Sequence, residues 1–154
     1  DKVLNTTDLD NVIKSDAQII VARAAFQTKD FSKAEKAYAT LENIATGKLA
    51  AEALYYKAYF LNARKEFKAS NNAVQQLAKD YAAHKEFGAR GLLLMALNFE
   101  GLGDLYQATY ILESVVTNFA SYEDISTQAQ TELNRIKKEA AKTNASVETT
   151  DGNE

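Results

Sequence analysis

The chain has 154 residues, of which 46% are apolar and 25% charged, a composition typical of one globular domain with a single core. It contains no cysteine and one histidine, His84, which excludes disulfides, thiolate metal sites, cysteine nucleophiles and two-histidine metal sites. The net charge of −3 comes from 18 basic and 21 acidic residues, and three of the acids lie in the last twelve positions, which hold no base. The remaining body is balanced in charge, so no nucleic-acid partner is expected.

Helices are favoured throughout the chain, because 154 residues contain no proline and only six glycines. The longest apolar run, 92–97, is far shorter than the roughly 20 residues of a membrane-spanning helix, so no direct membrane insertion is predicted. The sequence opens at Asp1 without methionine or an apolar signal segment, which we interpret as a processed chain or a fragment of a longer protein.

In chain order, residues 1–14 show no sustained period and are predicted to form a mobile or loosely docked lead segment. Apolar residues then recur at helical spacing in successive blocks that short polar breaks separate. The predicted elements are three helix pairs at about 15–50, 51–88 and 89–119, a capping helix over 120–142, and an acidic flexible tail over 143–154.

The breaks inside the three helix pairs are similar in sequence and lead into the segments 29–34, 65–70 and 103–108, whose last residues are 36 and 38 positions apart. Twelve positions before each last residue stands a small residue: Ala22, Ala58 and Ala96. Three positions before it stands a large apolar residue: Phe31, Phe67 and Leu105. This pattern resembles the tetratricopeptide repeat family, whose period is about 34 residues. The resemblance implies an all-α, right-handed superhelix of about three helix pairs plus a C-terminal capping helix.

The repeats diverge from the family pattern, because they lack its closing proline and its early tryptophan. Their long periods and the segments 79–82 and 117–120 resemble the envelope-associated branch of the family in Gram-negative periplasms. The stretch from Ala89 to Phe119, with the capping helix and acidic tail, is similar to the C-terminal end of Bacteroidetes tetratricopeptide repeat proteins. These resemblances imply a periplasmic or envelope location, with the cytoplasm as the alternative.

Catalytic chemistry has little basis in this sequence. The two glycines of Gly101-Leu102-Gly103 follow no strand and precede no Lys-Ser or Lys-Thr pair, so they are interpreted as a repeat turn and not as a phosphate loop. His84 has no second imidazole to work with and is interpreted as a residue at the surface or at the start of a helix. We therefore predict no catalytic, cofactor-binding or metal-binding residue, no cofactor, and no enzymatic activity.

In the tetratricopeptide repeat family the first helices of the pairs line a concave groove. The matching positions in this sequence are Ile19, Arg23, Phe26 and Gln27, then Glu52, Tyr55, Tyr59 and Asn62, then Arg90, Leu93, Leu97 and Glu100. Such a lining suits an extended or helical segment of a protein or peptide partner, because tyrosine and arginine combine contact area with hydrogen bonding. An equally open interpretation is that neighbouring helices, or the rest of a longer protein, cover its apolar members.

Two functions follow from this fold. The first is a noncatalytic protein-interaction scaffold that binds its partner in the groove. The alternative is a structural end-cap that terminates a longer repeat array and keeps it soluble, a role for which the polar side of the last helix is suited. That side carries Gln128, Glu132, Arg135 and Glu139.

Overall fold

The computed structural model describes the backbone of residues 6–150 and the side chains of residues 9–142. The described part is all-helical and contains no strand, which confirms the predicted all-α class. Its helices are α1 (Thr6–Gln27), α2 (Phe31–Ile44), α3 (Gly47–Ala63), α4 (Phe67–Asp80), α5 (Lys85–Gly101), α6 (Leu105–Asn118) and α7 (Glu123–Thr150). No helix within this part is both long and apolar enough to cross a membrane.

Consecutive helices pack against one another along the whole array, as in a helical-repeat superhelix. The pairs are α1 with α2, α3 with α4 and α5 with α6, and α7 packs behind the third pair. The first helices also meet directly, α3 with α5 and α5 with α7. The second and third pairs begin at Gly47 and Lys85, four residues before the predicted boundaries at 51 and 89.

Both terminal helices are longer than predicted. Helix α1 begins at Thr6, inside the predicted lead segment 1–14, and α7 continues to Thr150, beyond the predicted end at 142. No glycine or proline interrupts residues 1–46 or 104–151, so nothing in the sequence breaks either helix. Residues 1–5 and 151–154, and the side chains of 143–150, lie outside the described residues, and flexibility there stays a prediction.

Three apolar clusters form one continuous core, each where three successive helices meet. The small residues Ala22, Ala58 and Ala96 are fully buried, one in each helix pair. A methyl side chain at these positions lets the two helices of a pair approach closely. Ile125, Ala129, Leu133 and Ile136 of α7 are buried against the third pair, so α7 closes the C-terminal end of the core.

The turns inside the pairs share one backbone conformation. Lys29 and Lys65 each have φ 62°, and Gly103 at the equivalent place has φ 82°. Asp30 and Asp104 then cap the second helices, because their side chains accept from the backbone N–H groups of Lys33 and Gln107. This geometry confirms the interpretation of the paired glycines as a repeat turn, since Gly103 is where the left-handed residue is required.

Candidate binding groove

A cavity of about 580 Å³ opens between α1, α3 and α5. It is lined by Arg23, Phe26, Lys48, Glu52, Tyr55, Tyr56, Tyr59, Glu86, Phe87 and Arg90. Six of the twelve predicted groove residues are among them: Arg23, Phe26, Glu52, Tyr55, Tyr59 and Arg90. The first helices of the three pairs therefore bring half of the predicted set together around one opening, here called the groove cavity.

One side of the groove cavity is held by an ion pair between α1 and α3. The Arg23 guanidinium donates from Nε to Oε1 of Glu52 at 2.8 Å and from Nη2 to Oε2 at 2.6 Å. Glu52 is only 4% exposed, and the Tyr38 hydroxyl donates a further hydrogen bond to its Oε1 at 3.2 Å. The hydrogen bond to Glu52 raises the pKa of Arg23. The buried carboxylate is thus fully engaged, and it fixes the half-exposed guanidinium at the cavity rim.

The floor of the groove cavity is aromatic. Phe26 meets Tyr56 and Tyr59 edge to face, with ring centroids 4.9 and 5.3 Å apart. Tyr56 in turn stacks on Tyr38 of α2 at 4.0 Å. Rings that support each other in this way present a rigid surface, which a ligand can contact without ordering flexible side chains.

Tyr55 stands beside this aromatic floor and faces α5. Its ring centroid lies 6.2 Å from that of Phe87, and burial raises the pKa of Tyr55 to about 12. The phenol therefore stays neutral at physiological pH. A neutral, partly buried phenol offers one hydroxyl and one ring edge to a bound segment.

At the far side of the groove cavity, Arg90 connects α5 to α7. Its Nη2 lies 2.9 Å from Oδ2 of Asp124 and 3.3 Å from Oε1 of Glu86. Glu86 lies one turn before Arg90 on the same helix, whereas Asp124 belongs to the first turn of α7. The capping helix thereby orients a side chain of the candidate site.

The other six predicted groove residues lie elsewhere. Ile19 and Leu93 are 5% and 6% exposed and belong to the core, so the prediction that they line a groove is wrong. The side chains of Asn62 and Glu100 are engaged with other helices, Asn62 with Asn98 and Glu100 with Arg135. The remaining two do not line the groove cavity: Gln27 is exposed and Leu97 is half-buried.

The core positions of Ile19 and Leu93 have a simple cause. Ile19 packs with residues of α2 and α3, and Leu93 packs with residues of α6 and α7. Both side chains point from a first helix toward the next one, where the superhelix closes over them. Their burial follows from how tightly adjacent pairs stack, a quantity that one helix alone does not carry.

Four lining residues were not predicted: Lys48, Tyr56, Glu86 and Phe87. Lys48 and Glu86 are equivalent positions, 38 residues apart, and each lies one helical turn before a residue of the predicted set. Extending the predicted face by one turn toward the helix N-termini would have found both of them. Tyr56 and Phe87 belong to the face that packs on the preceding helix pair, and nothing local marks them as accessible.

A second cavity, of about 500 Å³, lies where the connections α4–α5 and α6–α7 approach each other. Aromatic side chains dominate its wall, among them Tyr81, Phe119 and Tyr122. His84 also lines it, half-buried, and the lining contains no acidic residue that would orient the imidazole. No predicted groove residue belongs to this cavity.

Within the described residues, no group of three His, Cys, Asp or Glu side chains is arranged to hold a metal ion. No protein-family model matches the chain, and no curated protein is significantly similar to it in sequence. The argument for function therefore rests on the geometry of the groove cavity.

Proposed function

We propose that the chain is a noncatalytic protein-interaction scaffold that binds an extended or helical segment of a protein partner in the groove cavity. The observation that carries this proposal is the convergence of Arg23, Tyr55, Tyr59 and Arg90 from three different helices on one opening of about 580 Å³. An opening of this size accommodates a few side chains of a bound segment.

The chemistry of the lining supports a peptide as the ligand. The aromatic floor provides apolar contact area, while Arg23, Lys48 and Arg90 provide hydrogen-bond donors around it. Glu52 and Glu86 balance two of these cations, so the lining is mixed in charge and suits a segment with both apolar and polar side chains.

The proposal includes membership of the tetratricopeptide repeat family and a periplasmic or envelope location. Support for the family comes from periods of 36 and 38 residues and from the complete burial of Ala22, Ala58 and Ala96 at equivalent positions. The location rests on the sequence resemblance alone, and the cytoplasm is its alternative.

A structural end-cap is the second candidate function, and the outer face of α7 favours it. The equivalents of these positions in α5 pack against helices of the core, whereas in α7 they are polar and exposed. They are Thr127, Gln130, Thr131, Asn134 and Lys138. A polar outer face of this kind is what the last helix of a repeat array requires for solubility.

Because the chain has no cysteine, a single introduced cysteine can be labelled uniquely. We would select peptides that bind the whole chain from a random displayed library and titrate them against Lys48→Cys carrying an environment-sensitive fluorophore. Lys79→Cys, exposed on α4 and away from the groove cavity, is the matched control. Binding in the groove cavity should change the fluorescence at position 48 and leave position 79 unchanged.

Charge reversal provides the second measurement. Lys48→Glu should weaken binding of the selected peptides by about tenfold, which corresponds to the loss of one favourable rim charge of about 1.4 kcal/mol. Lys79→Glu should leave the affinity unchanged. If no peptide is selected, or if the selected peptides respond to position 79 and not to position 48, the groove proposal is wrong and the end-cap function is favoured.

A further inference from the structure

The outer face of α1 carries a row of exposed aliphatic side chains. Ile13 and Ile20 are 60% and 69% exposed, and Ala17 and Ala24 lie between and beyond them on the same face. These four residues follow the spacing i, i+4, i+7, i+11 of a single helical stripe. We call them the α1 stripe. Solvent-exposed isoleucines in a continuous row are unusual on a free surface.

The α1 stripe has equivalents in the other first helices. The repeat offsets of 36 and 38 residues match it to Leu49, Ala53, Tyr56 and Phe60 in α3 and to Phe87, Gly91, Leu94 and Asn98 in α5. In α7 a further 38 residues lead to Ile125, Ala129, Glu132 and Ile136. Apart from half-buried Leu49, Tyr56 and Glu132 and from Gly91, whose burial is also complete enough to class it with the core, these equivalents are buried.

In α3 and α5 this face is where the second helix of the preceding pair packs. Tyr56 stacks on Tyr38 of α2 with ring centroids 4.0 Å apart. A Cβ atom added to Gly91 would lie 3.1 Å from Cγ1 of Val74 and 3.2 Å from Cδ2 of Leu77, both on α4. The face of α7 is buried in the same way in the cluster that contains Leu112 and Val115 of α6.

The second helices present a matching pattern to these faces. A small residue is followed by large apolar residues four and seven positions later, and all are at most 2% exposed. The sets are Ala34, Tyr38 and Leu41 in α2, Ser70, Val74 and Leu77 in α4, and Ala108, Leu112 and Val115 in α6. In residues 6–150 no helix of this kind packs on the α1 stripe, whose isoleucines are exposed.

We infer that the α1 stripe is a docking site for the second helix of a further helix pair, with a small residue and two large apolar residues at positions i, i+4 and i+7. The inference rests on the continuity of the α1 stripe with three interfaces inside the chain. It shares no residue with the groove cavity and does not depend on the groove proposal. The two ends of the array thus differ, since the outer face of α7 is polar.

The repeat offsets define a direct test. Asn11, Gly47 and Lys85 are equivalent positions, so a second copy of residues 47–84 joined directly to Asn11 places a copied α4 ahead of α1 exactly as α4 precedes α5. The fusion should melt at least about 5 °C above the original chain, because each added interface stabilises its neighbour. Hydrogen exchange of the α1 amides should slow correspondingly.

Two control variants assign the gain to the α1 stripe. In the fusion, Ile20→Lys should remove most of the increase in melting temperature, whereas in the original chain the same change should shift it by no more than about 2 °C, as for an ordinary surface substitution. A second fusion carries Val74→Asp and Leu77→Asp in the copied helix only. It has the same length without the matching face and should melt like the original chain.

Three results would overturn the inference. The first is a fusion that melts with the original chain, and the second is a gain that survives Ile20→Lys. The third is an original chain that light scattering shows to be a dimer and that Ile20→Lys converts to a monomer, because the α1 stripe would then bind a second copy.

Discussion

The side-chain amide of Asn62 donates a hydrogen bond of 2.7 Å to Oδ1 of Asn98, which lies 36 residues further along the chain. Asn98 is fully buried, and its own amide donates to Oγ of Ser70 and to Oδ1 of Asn71, both at 2.8 Å. Ser70 donates onward to the carbonyl of Ala58. This polar network ties α3, α4 and α5 together inside an apolar core, and each of its buried groups has a partner.

Replacing Asn98 should break the network. Asn98→Leu leaves the side chains of Ser70 and Asn71 without their partner in a buried place, which should cost about 2–4 kcal/mol of the free energy of unfolding. Urea denaturation followed by circular dichroism measures the change. Asn72→Leu, on the exposed side of α4, should stay within about 0.5 kcal/mol of the parent chain. Equal losses in both variants would contradict a stabilising role for the network.

The close approach of α3 and α4 gives the second prediction. Ala58 is fully buried, so Ala58→Leu should overpack the pair and lower the free energy of unfolding by about 1–3 kcal/mol. Ala141→Leu, exposed on α7, has the same change in volume and should be nearly neutral. Thermal melts of the two variants compare them directly, and matching melting temperatures would show that Ala58 is not a packing position.

The left-handed turn residues give the third prediction. Lys65 has φ 62°, a conformation that costs an L-residue about 1–2 kcal/mol and that glycine adopts freely. Lys65→Gly should therefore stabilise the chain by about 0.5 kcal/mol after the added flexibility of the unfolded chain is counted. Lys68→Gly, in the interior of α4, should instead destabilise it by about 1 kcal/mol. A destabilised Lys65→Gly variant would show that the lysine side chain itself contributes to the turn.

The raised pKa of Tyr55 gives the fourth prediction, for alkaline solution. Burial holds this pKa at about 12 in the folded chain, above the ordinary value of 10.0, so the unfolded state ionises first as pH rises. The contribution of Tyr55 to stability is complete below pH 10 and is lost as the pH approaches 12. Tyr55→Phe removes the ionisable group, so its stability should fall less than that of the parent chain between pH 10 and 12, by up to about 2 kcal/mol.

Urea denaturation at pH 8, 10 and 11 would measure this difference. Tyr110→Phe is the control, because Tyr110 is 63% exposed on α6. That variant should follow the parent chain at every pH. If Tyr55→Phe also follows it, the Tyr55 phenol is as hydrated in the folded chain as in the unfolded chain.

The helix pairs and their turns could be predicted from the sequence, because their causes are local. Apolar spacing of 3.6 residues and the absence of proline determine the helices, and the repeated breaks near Lys29, Lys65 and Gly103 mark the turns between them. Fully buried Ala22, Ala58 and Ala96 were also identifiable, since a small residue at the same place in each repeat has a packing reason that recurs with the repeat.

The tertiary structure decided which residues of the predicted face are open. Tyr55 and Leu93 are equivalent positions, yet Tyr55 lines the groove cavity and Leu93 lies in the core under α7. Their exposure depends on which helix stacks next to them, and a single repeat does not contain that information. The same reason explains Asn98, a polar residue on a buried face, whose partners come from two other helices that only the stacking of the pairs brings within hydrogen-bonding distance.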